Sequence, residues 1–276
     1  MILRGAFLIA GLTIASPLWA HPGVGIVKDQ RGYVFYTDLA QIWQIDPEGR
    51  RSIAVPGVHT HELAVDGEGN LVGEEVRGAG GGWQHRIWRR TPDGRIADLV
   101  PWTDGFWQDD GLTRDETGNR YWVVCPDRQC VMRKREPNGR AATLARAAQF
   151  RYTINWIVVG PAGVVYFPDG PDLRRLDATG RMSTLVAGLG PPDNQNALMG
   201  LRIGADGAIY IAVPARRAIM RVTPDGRSSV AASSRSPWAP SGVLPDTDGS
   251  FWILEFDVDN RVRVRRILPN GDERVY

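Results

Sequence analysis

Asp46-Pro-Glu-Gly49, Thr91-Pro-Asp-Gly94, Glu136-Pro-Asn-Gly139, Asp177-Ala-Thr-Gly180, Thr223-Pro-Asp-Gly226 and Leu268-Pro-Asn-Gly271 are one turn written six times. Their glycines are spaced by 45, 45, 41, 46 and 45 residues. Proline fixes φ early in such a turn and glycine accepts a positive φ late in it, which is hairpin chemistry. A second series falls between the first: Asp29-Gln-Arg-Gly32, Asp66-Gly-Glu-Gly69, Asp115-Glu-Thr-Gly118, Gly160-Pro-Ala-Gly163, Gly204-Ala-Asp-Gly207 and Asp246-Thr-Asp-Gly249. Two hairpin turns per repeat, six repeats in tandem, define the architecture before any strand is assigned.

The segments between turns are short and rich in β-branched and aromatic residues, the composition of strands. The first repeat reads Gly25-Ile26-Val27, Tyr33-Val34-Phe35-Tyr36, Gln41-Ile42-Trp43-Gln44-Ile45 and Ser52-Ile53-Ala54-Val55. A four-stranded sheet of this kind cannot bury both faces alone, so six of them stack radially. The prediction is an all-β, six-bladed β-propeller of four-stranded antiparallel blades. A helical solenoid needs a 3.6-residue apolar period, which is missing, and a β-sandwich would not repeat paired turns at this spacing. Each repeat opens on its innermost strand, so no strand is exchanged to close the ring. Closure then rests on packing between blades one and six or on a bound ion, unless the boundaries shift by one strand.

Ahead of the repeats, Met1–Ala20 has a basic start at Arg4, an apolar stretch from Ala6 to Ala15, and Ser16-Pro-Leu-Trp-Ala20. This is the pattern of a secretory signal, and the apolar part is shorter than the ~20 residues that cross a bilayer. Cleavage after Ala20 would leave residues 21–276 as a single domain, periplasmic or secreted and free of the membrane. The 276-residue chain has 33 Lys and Arg against 31 Asp and Glu. A balance so near neutral offers no basic face for nucleic acid.

Residues just before the innermost strands sit at one mouth of the central channel. They are Val24, His61, Asp110, Asn155, Met199 and Ser241, with His21, His59, Gln108 and Asp109 one step further out. The loop Val76–His85 of blade two opens on the same face, so all four histidines converge there. His21, as a new amino terminus, would offer its α-amine and its ring to one metal. His59-Thr-His61 on extended chain puts two rings on one side. Imidazoles favour copper or zinc, whereas an Asp110/Asn155 set favours calcium or another divalent cation.

Asp109-Asp110-Gly111-Leu112-Thr113 resembles a segment that precedes a blade in NHL-type and SMP-30/gluconolactonase-like propellers. The resemblance implies a divalent cation on Asp110 and Asn155 and an acidic residue as base. The glutamate expected in blade one is replaced by Gly23 or Val24, and Trp156 follows Asn155 in place of glycine. Asp110, Asp109 and Glu62 are the candidate catalytic groups, with Glu74 and Asp104 near them.

Aromatic residues outside the strands crowd this face, and Trp107, Tyr152 and Trp238, with Met199, are the candidate ligand-binding residues. The same aromatics also serve to cap blade cores against water. Cys125 and Cys130 flank the turn between strands two and three of blade three and are expected to form a disulfide in an oxidising compartment. Three functions remain open on these residues. The first is an exported propeller with a metal-centred small-ligand site. The second is a metal-dependent, lactonase-like hydrolase. The third is a metal-free propeller that binds a protein partner.

Overall fold

In the computed structural model, residues 22–80, 82–105, 112–125 and 129–276 are described. Their strands form six sheets of four, each antiparallel and in sequence order. Blade one holds β1 (Ile26–Lys28), β2 (Val34–Thr37), β3 (Gln41–Ile45) and β4 (Arg51–Pro56). Blade two holds β5 (Leu63–Val65), β6 (Leu71–Ala79), β7 (Gly82–Arg90) and β8 (Ile96–Asp104). Blade three holds β9 (Thr113–Arg114), β10 (Arg120–Val124), β11 (Val131–Arg135) and β12 (Ala141–Ala145). Blade four holds β13 (Val158–Val159), β14 (Val165–Asp169), β15 (Asp172–Leu176) and β16 (Met182–Val186). Blade five holds β17 (Leu201–Ile203), β18 (Ile209–Val213), β19 (Ala218–Val222) and β20 (Ser228–Ser233). Blade six holds β21 (Ala239–Pro245), β22 (Phe251–Phe256), β23 (Val262–Ile267) and β24 (Glu273–Val275). First strands touch first strands of neighbouring blades, β1 with β5 and β21, β13 with β9 and β17, which sets them around the central axis.

The repeated turns form as their chemistry requires. Asp46 Oδ1 accepts the Arg50 N–H at 2.8 Å, the Gly49 N–H donates to Asp46 O at 2.9 Å, and Gly49 has φ of +87°. In blades one to five the ladder between the third and fourth strands slips, at Ile42/Trp43, His85/Ile87/Trp88, Met132/Arg133, Leu173/Arg174 and Ile219/Met220. Such bulges add local twist to the outer edge of each sheet. The apolar core lies between blades, and Trp88, fully buried, fills one such space. It fits because Gly73 lies beneath it: a Cβ there would stand 2.2 Å from the indole.

Blades one and six each contain four consecutive strands, so the ring closes without strand exchange. Three contacts hold the junction. Gly242 packs so closely on blade one that a Cβ would lie 2.5 Å from Val24 O. Lys28 Nζ meets Asp246 Oδ2 at 2.6 Å. Tyr276 stacks on Trp252 with ring centroids 5.5 Å apart and lies over Gly49 of blade one.

One local expectation is corrected. Val76–His85 is not a loop, because β6 and β7 pair continuously from Leu71↔Arg90 to Ala79↔Gly82. Glycine reads as loop composition, yet a two-stranded ladder tolerates it, and Gly80, with φ of +56°, makes the tight turn at its tip. Blade two therefore rises above the mouth as a paired arm.

Candidate functional site at the channel mouth

The segment His59-Thr60-His61 enters β5 from the mouth face, and its middle residue is anchored from both sides. Thr37 Oγ1 donates to Thr60 O at 2.6 Å, and Trp88 Nε1 donates to Thr60 Oγ1 at 3.1 Å, both out of contact with water. The Val24 and Gly25 N–H groups both donate to His61 O, at 3.0 and 2.9 Å. With Thr60 pulled into the core, extended chain turns its two neighbours to the opposite side. The His59 and His61 rings meet edge to face, their Nε2 atoms 3.0 Å apart.

Backbone carbonyls set the tautomers. His59 Nδ1–H donates to Leu39 O at 3.0 Å, and a carbonyl oxygen only accepts, so Nε2 of the neutral ring carries the lone pair and accepts from His61 Nε2–H at 3.0 Å. Leu39 is itself held in a left-handed conformation, φ +69°, by its N–H bond to Thr37 Oγ1 at 3.0 Å. Thr37 thus braces both ends of this contact. His85 is buried on β7, where its Nδ1–H donates to Gly105 O at 2.7 Å. It pairs across the ladder with Val76, whose N–H donates to His59 O at 3.4 Å. The three described histidines therefore gather at blade two.

Below the histidines the channel is charged. Glu62, just before β5, and Glu74 of β6 adjoin the Leu63↔Gly73 pair. Burial pushes the Glu62 carboxyl up to about 7, against the opposing pull of the Arg202 charge. Burial, then the Glu62 charge, drive Glu74 well above the usual carboxylate range, against hydrogen bonding with the Glu62 backbone. Arg202 comes from β17 on the opposite side of the ring. Its Nη1 donates to Leu201 O at 3.1 Å, and Nη2 lies 3.5 Å from Ile26 O of blade one. The arginine therefore reaches across the axis as a floor to the mouth.

Other expected site residues are spread around the same face. Asn155 is exposed and donates to Asn196 Oδ1 at 2.9 Å. Tyr152 is half-buried, its ring pressed against Gly170, and Trp238 carries the Arg263 guanidinium 4.2 Å from its ring centre. Met199 is 2% exposed within the blade-five core. His21, Trp107, Asp109 and Asp110 lie outside the described residues, as does the Met1–Ala20 segment. Among the described residues no three His, Cys, Asp or Glu side chains gather as a ligand set. Cys125 and Cys130 are joined, as expected, in a disulfide. Thr37, Thr60, Trp88 and Arg202 were not anticipated. Only Arg202 left a trace, as a charge inside the apolar run Leu201-Arg-Ile203 of an innermost strand.

No family profile matches the chain, and no curated protein matches it by sequence. Solved structures do. Virginiamycin B lyase from Staphylococcus aureus superposes with a TM-score of 0.57 at 15% identity, covering 92% of this chain and 84% of the lyase. A gluconolactonase from Xanthomonas campestris gives 0.60 at 15% identity, covering 84% of this chain and 83% of that one. Regucalcin from Agrobacterium tumefaciens, a calcium-binding protein, gives 0.52 at 16%, with 84% and 81% covered. The chain shares the six-bladed propeller of the gluconolactonase and streptogramin B lyase structures. At such identities the likeness is one of fold, and a fold of this kind hosts unrelated functions.

Proposed function

We propose that this is an exported propeller with a metal-centred site for a small ligand at the channel mouth, built on His59 and His61. One observation carries the reading: the two Nε2 atoms stand 3.0 Å apart, and His59 Nε2, unprotonated because Nδ1–H bonds Leu39, presents its lone pair there to the His61 ring. Two imidazole nitrogens each about 2.0–2.1 Å from one ion would stand about 2.9 Å apart at a right angle and about 3.3 Å at the tetrahedral angle. A ligating histidine commonly donates its other N–H to a carbonyl, as His59 does. Nitrogen donors favour copper or zinc. His21 and Asp110 are the further ligands that the sequence proposes. The Cys125–Cys130 disulfide, and the lack among the described residues of a helix long and apolar enough to cross a membrane, agree with export.

Metal content of protein exported to a periplasm, with its amino terminus confirmed by mass spectrometry, tests this. Near-stoichiometric copper or zinc, lost in His59→Ala/His61→Ala, is the expected result. Protein that holds no metal and takes up none when copper, zinc or calcium is added would refute the reading.

A second reading, a metal-dependent hydrolase of the lactonase kind, is favoured by Glu62 and Glu74, two carboxyl groups buried together next to the Leu63↔Gly73 pair of blade two. Turnover of simple sugar lactones by metal-loaded protein, abolished in Glu62→Gln, would select it. Tyr152, Met199 and Trp238, with Trp107, remain its proposed ligand contacts.

A further inference from the structure

Several arginines partly withdrawn from water in this chain are matched with carboxylates. Arg265, 3% exposed at its side chain, meets Glu255 at 3.0 Å and Glu273 at 2.7 Å. Arg174 meets Asp169 at 2.7 Å, Arg263 meets Glu255 at 2.7 Å, and Arg86 meets Glu75 at 2.6 Å and Asp98 at 3.0 Å. Such pairing is what the desolvation of a buried charge demands. Arg202 is different. Its guanidinium is bonded to two backbone carbonyls, the second at the long distance of 3.5 Å, and it touches no carboxylate among the described residues. Burial pulls its pKa down, and the Glu62 charge opposes that only through space. A guanidinium has five N–H donors in a planar fork that suits a carboxylate. Two are used here, on the innermost strand of blade five.

We propose that Arg202 is the anchor for a carboxylate on the ligand that enters the mouth, which makes the ligand class a small organic acid. This rests on the mouth being a small-ligand site but not on the metal. The geometry assigns the acid's carboxylate to the free edge of the Arg202 fork.

The test compares glycolate with its uncharged isostere glycolamide, titrated into the full chain and followed by ligand-observed NMR. The protein is treated with chelator first, so that no metal-held carboxylate contributes. Glycolate is expected to bind at least tenfold more tightly than glycolamide. Arg202→Gln should remove that preference, and Arg202→Lys should retain part of it. Equal binding of the two probes, binding of neither, or an unchanged preference in Arg202→Gln would overturn the proposal. The wild-type comparison decides even if the variants fail to fold. Arg202→Gln should lose the glycolate preference while keeping metal uptake, so this inference and the metal site fail separately.

Discussion

Trp88 Nε1 donates to Thr60 Oγ1 at 3.1 Å, a bond between the blade-two core and the residue that separates two imidazoles. It fixes which way the chain faces at the mouth, because Thr60 can point inward only while His59 and His61 point out. Thr60→Val keeps the shape but removes the acceptor, leaving a buried indole N–H unsatisfied. The expected cost is about 1–3 kcal/mol, read as a lower urea midpoint. Copper or zinc uptake should fall at least tenfold in protein that is still folded. Full metal uptake in that variant would show that the His59–His61 geometry does not depend on this anchor.

Asp115 heads the turn that opens on β10. Burial raises its carboxyl, but bonds from Asn119, Thr117 and Tyr121 outweigh that and bring it down to about 2. A carboxylate depressed in the folded state stabilises it above the unfolded pKa and loses that effect as pH falls through the folded one. Tyr121, raised to about 12 by burial and by its bond to Asp115, works with the opposite sign. Its contribution is complete below its ordinary value of 10.0 and fades as pH climbs through about 12. Asp115→Asn should therefore flatten the acid limb of a stability–pH curve between about pH 4 and pH 2, and lower the alkaline plateau held by Tyr121. Thermal melts across both ranges check this, and an acid limb as steep as that of the wild type would contradict it.

In blade six, Glu255 is wholly buried and takes Arg263 Nε at 2.7 Å and Arg265 Nε at 3.1 Å. Arg265 also donates to Ser233 O at 2.7 Å, tying blade five to blade six. Removing Arg265 leaves the buried Glu255 charge to Arg263 and takes the donor from Ser233 O. Arg265→Met is expected to cost about 1–3 kcal/mol, measured by urea unfolding. Replacing Glu255 and Arg265 together by apolar residues should cost less than Arg265→Met alone, which a double-mutant comparison would read directly.

The propeller was legible because turn chemistry is local: proline and glycine two residues apart state a hairpin wherever they fall. The His59–His61 pair was legible for the same reason, since alternation along extended chain needs no distant partner. Thr60 was not, because its role depends on Trp88, 28 residues further on. Arg202 was hidden by its own pattern. Leu201-Arg-Ile203 reads as ordinary alternation with a solvent-facing arginine, and only the ring of blades turns that side into a channel. The arm of blade two was misread for a third reason, because glycine composition cannot distinguish a loop from a ladder whose backbone is paired.

The junction of blades one and six must hold without an exchanged strand, and its tightest point is Gly242 against Val24 O. A methyl group there would sit 2.5 Å from the carbonyl oxygen, closer than any relaxed contact, and the obstacle is backbone rather than a yielding side chain. Gly242→Ala should therefore push β21 away from β1 and destabilise the fold by about 1–3 kcal/mol. Gly67→Ala is the matched control, since a Cβ there meets nothing within 4 Å, and surface changes of that kind stay within about 0.5 kcal/mol. Tyr276→Ala tests the outer edge of the same junction by removing the ring that stacks on Trp252 and covers Gly49. If closure depends on these contacts, Gly242→Ala and Tyr276→Ala will both lower the urea midpoint while Gly67→Ala leaves it in place. Equal midpoints for all three would mean that blades one and six are held by the Lys28–Asp246 bridge and the shared apolar core alone.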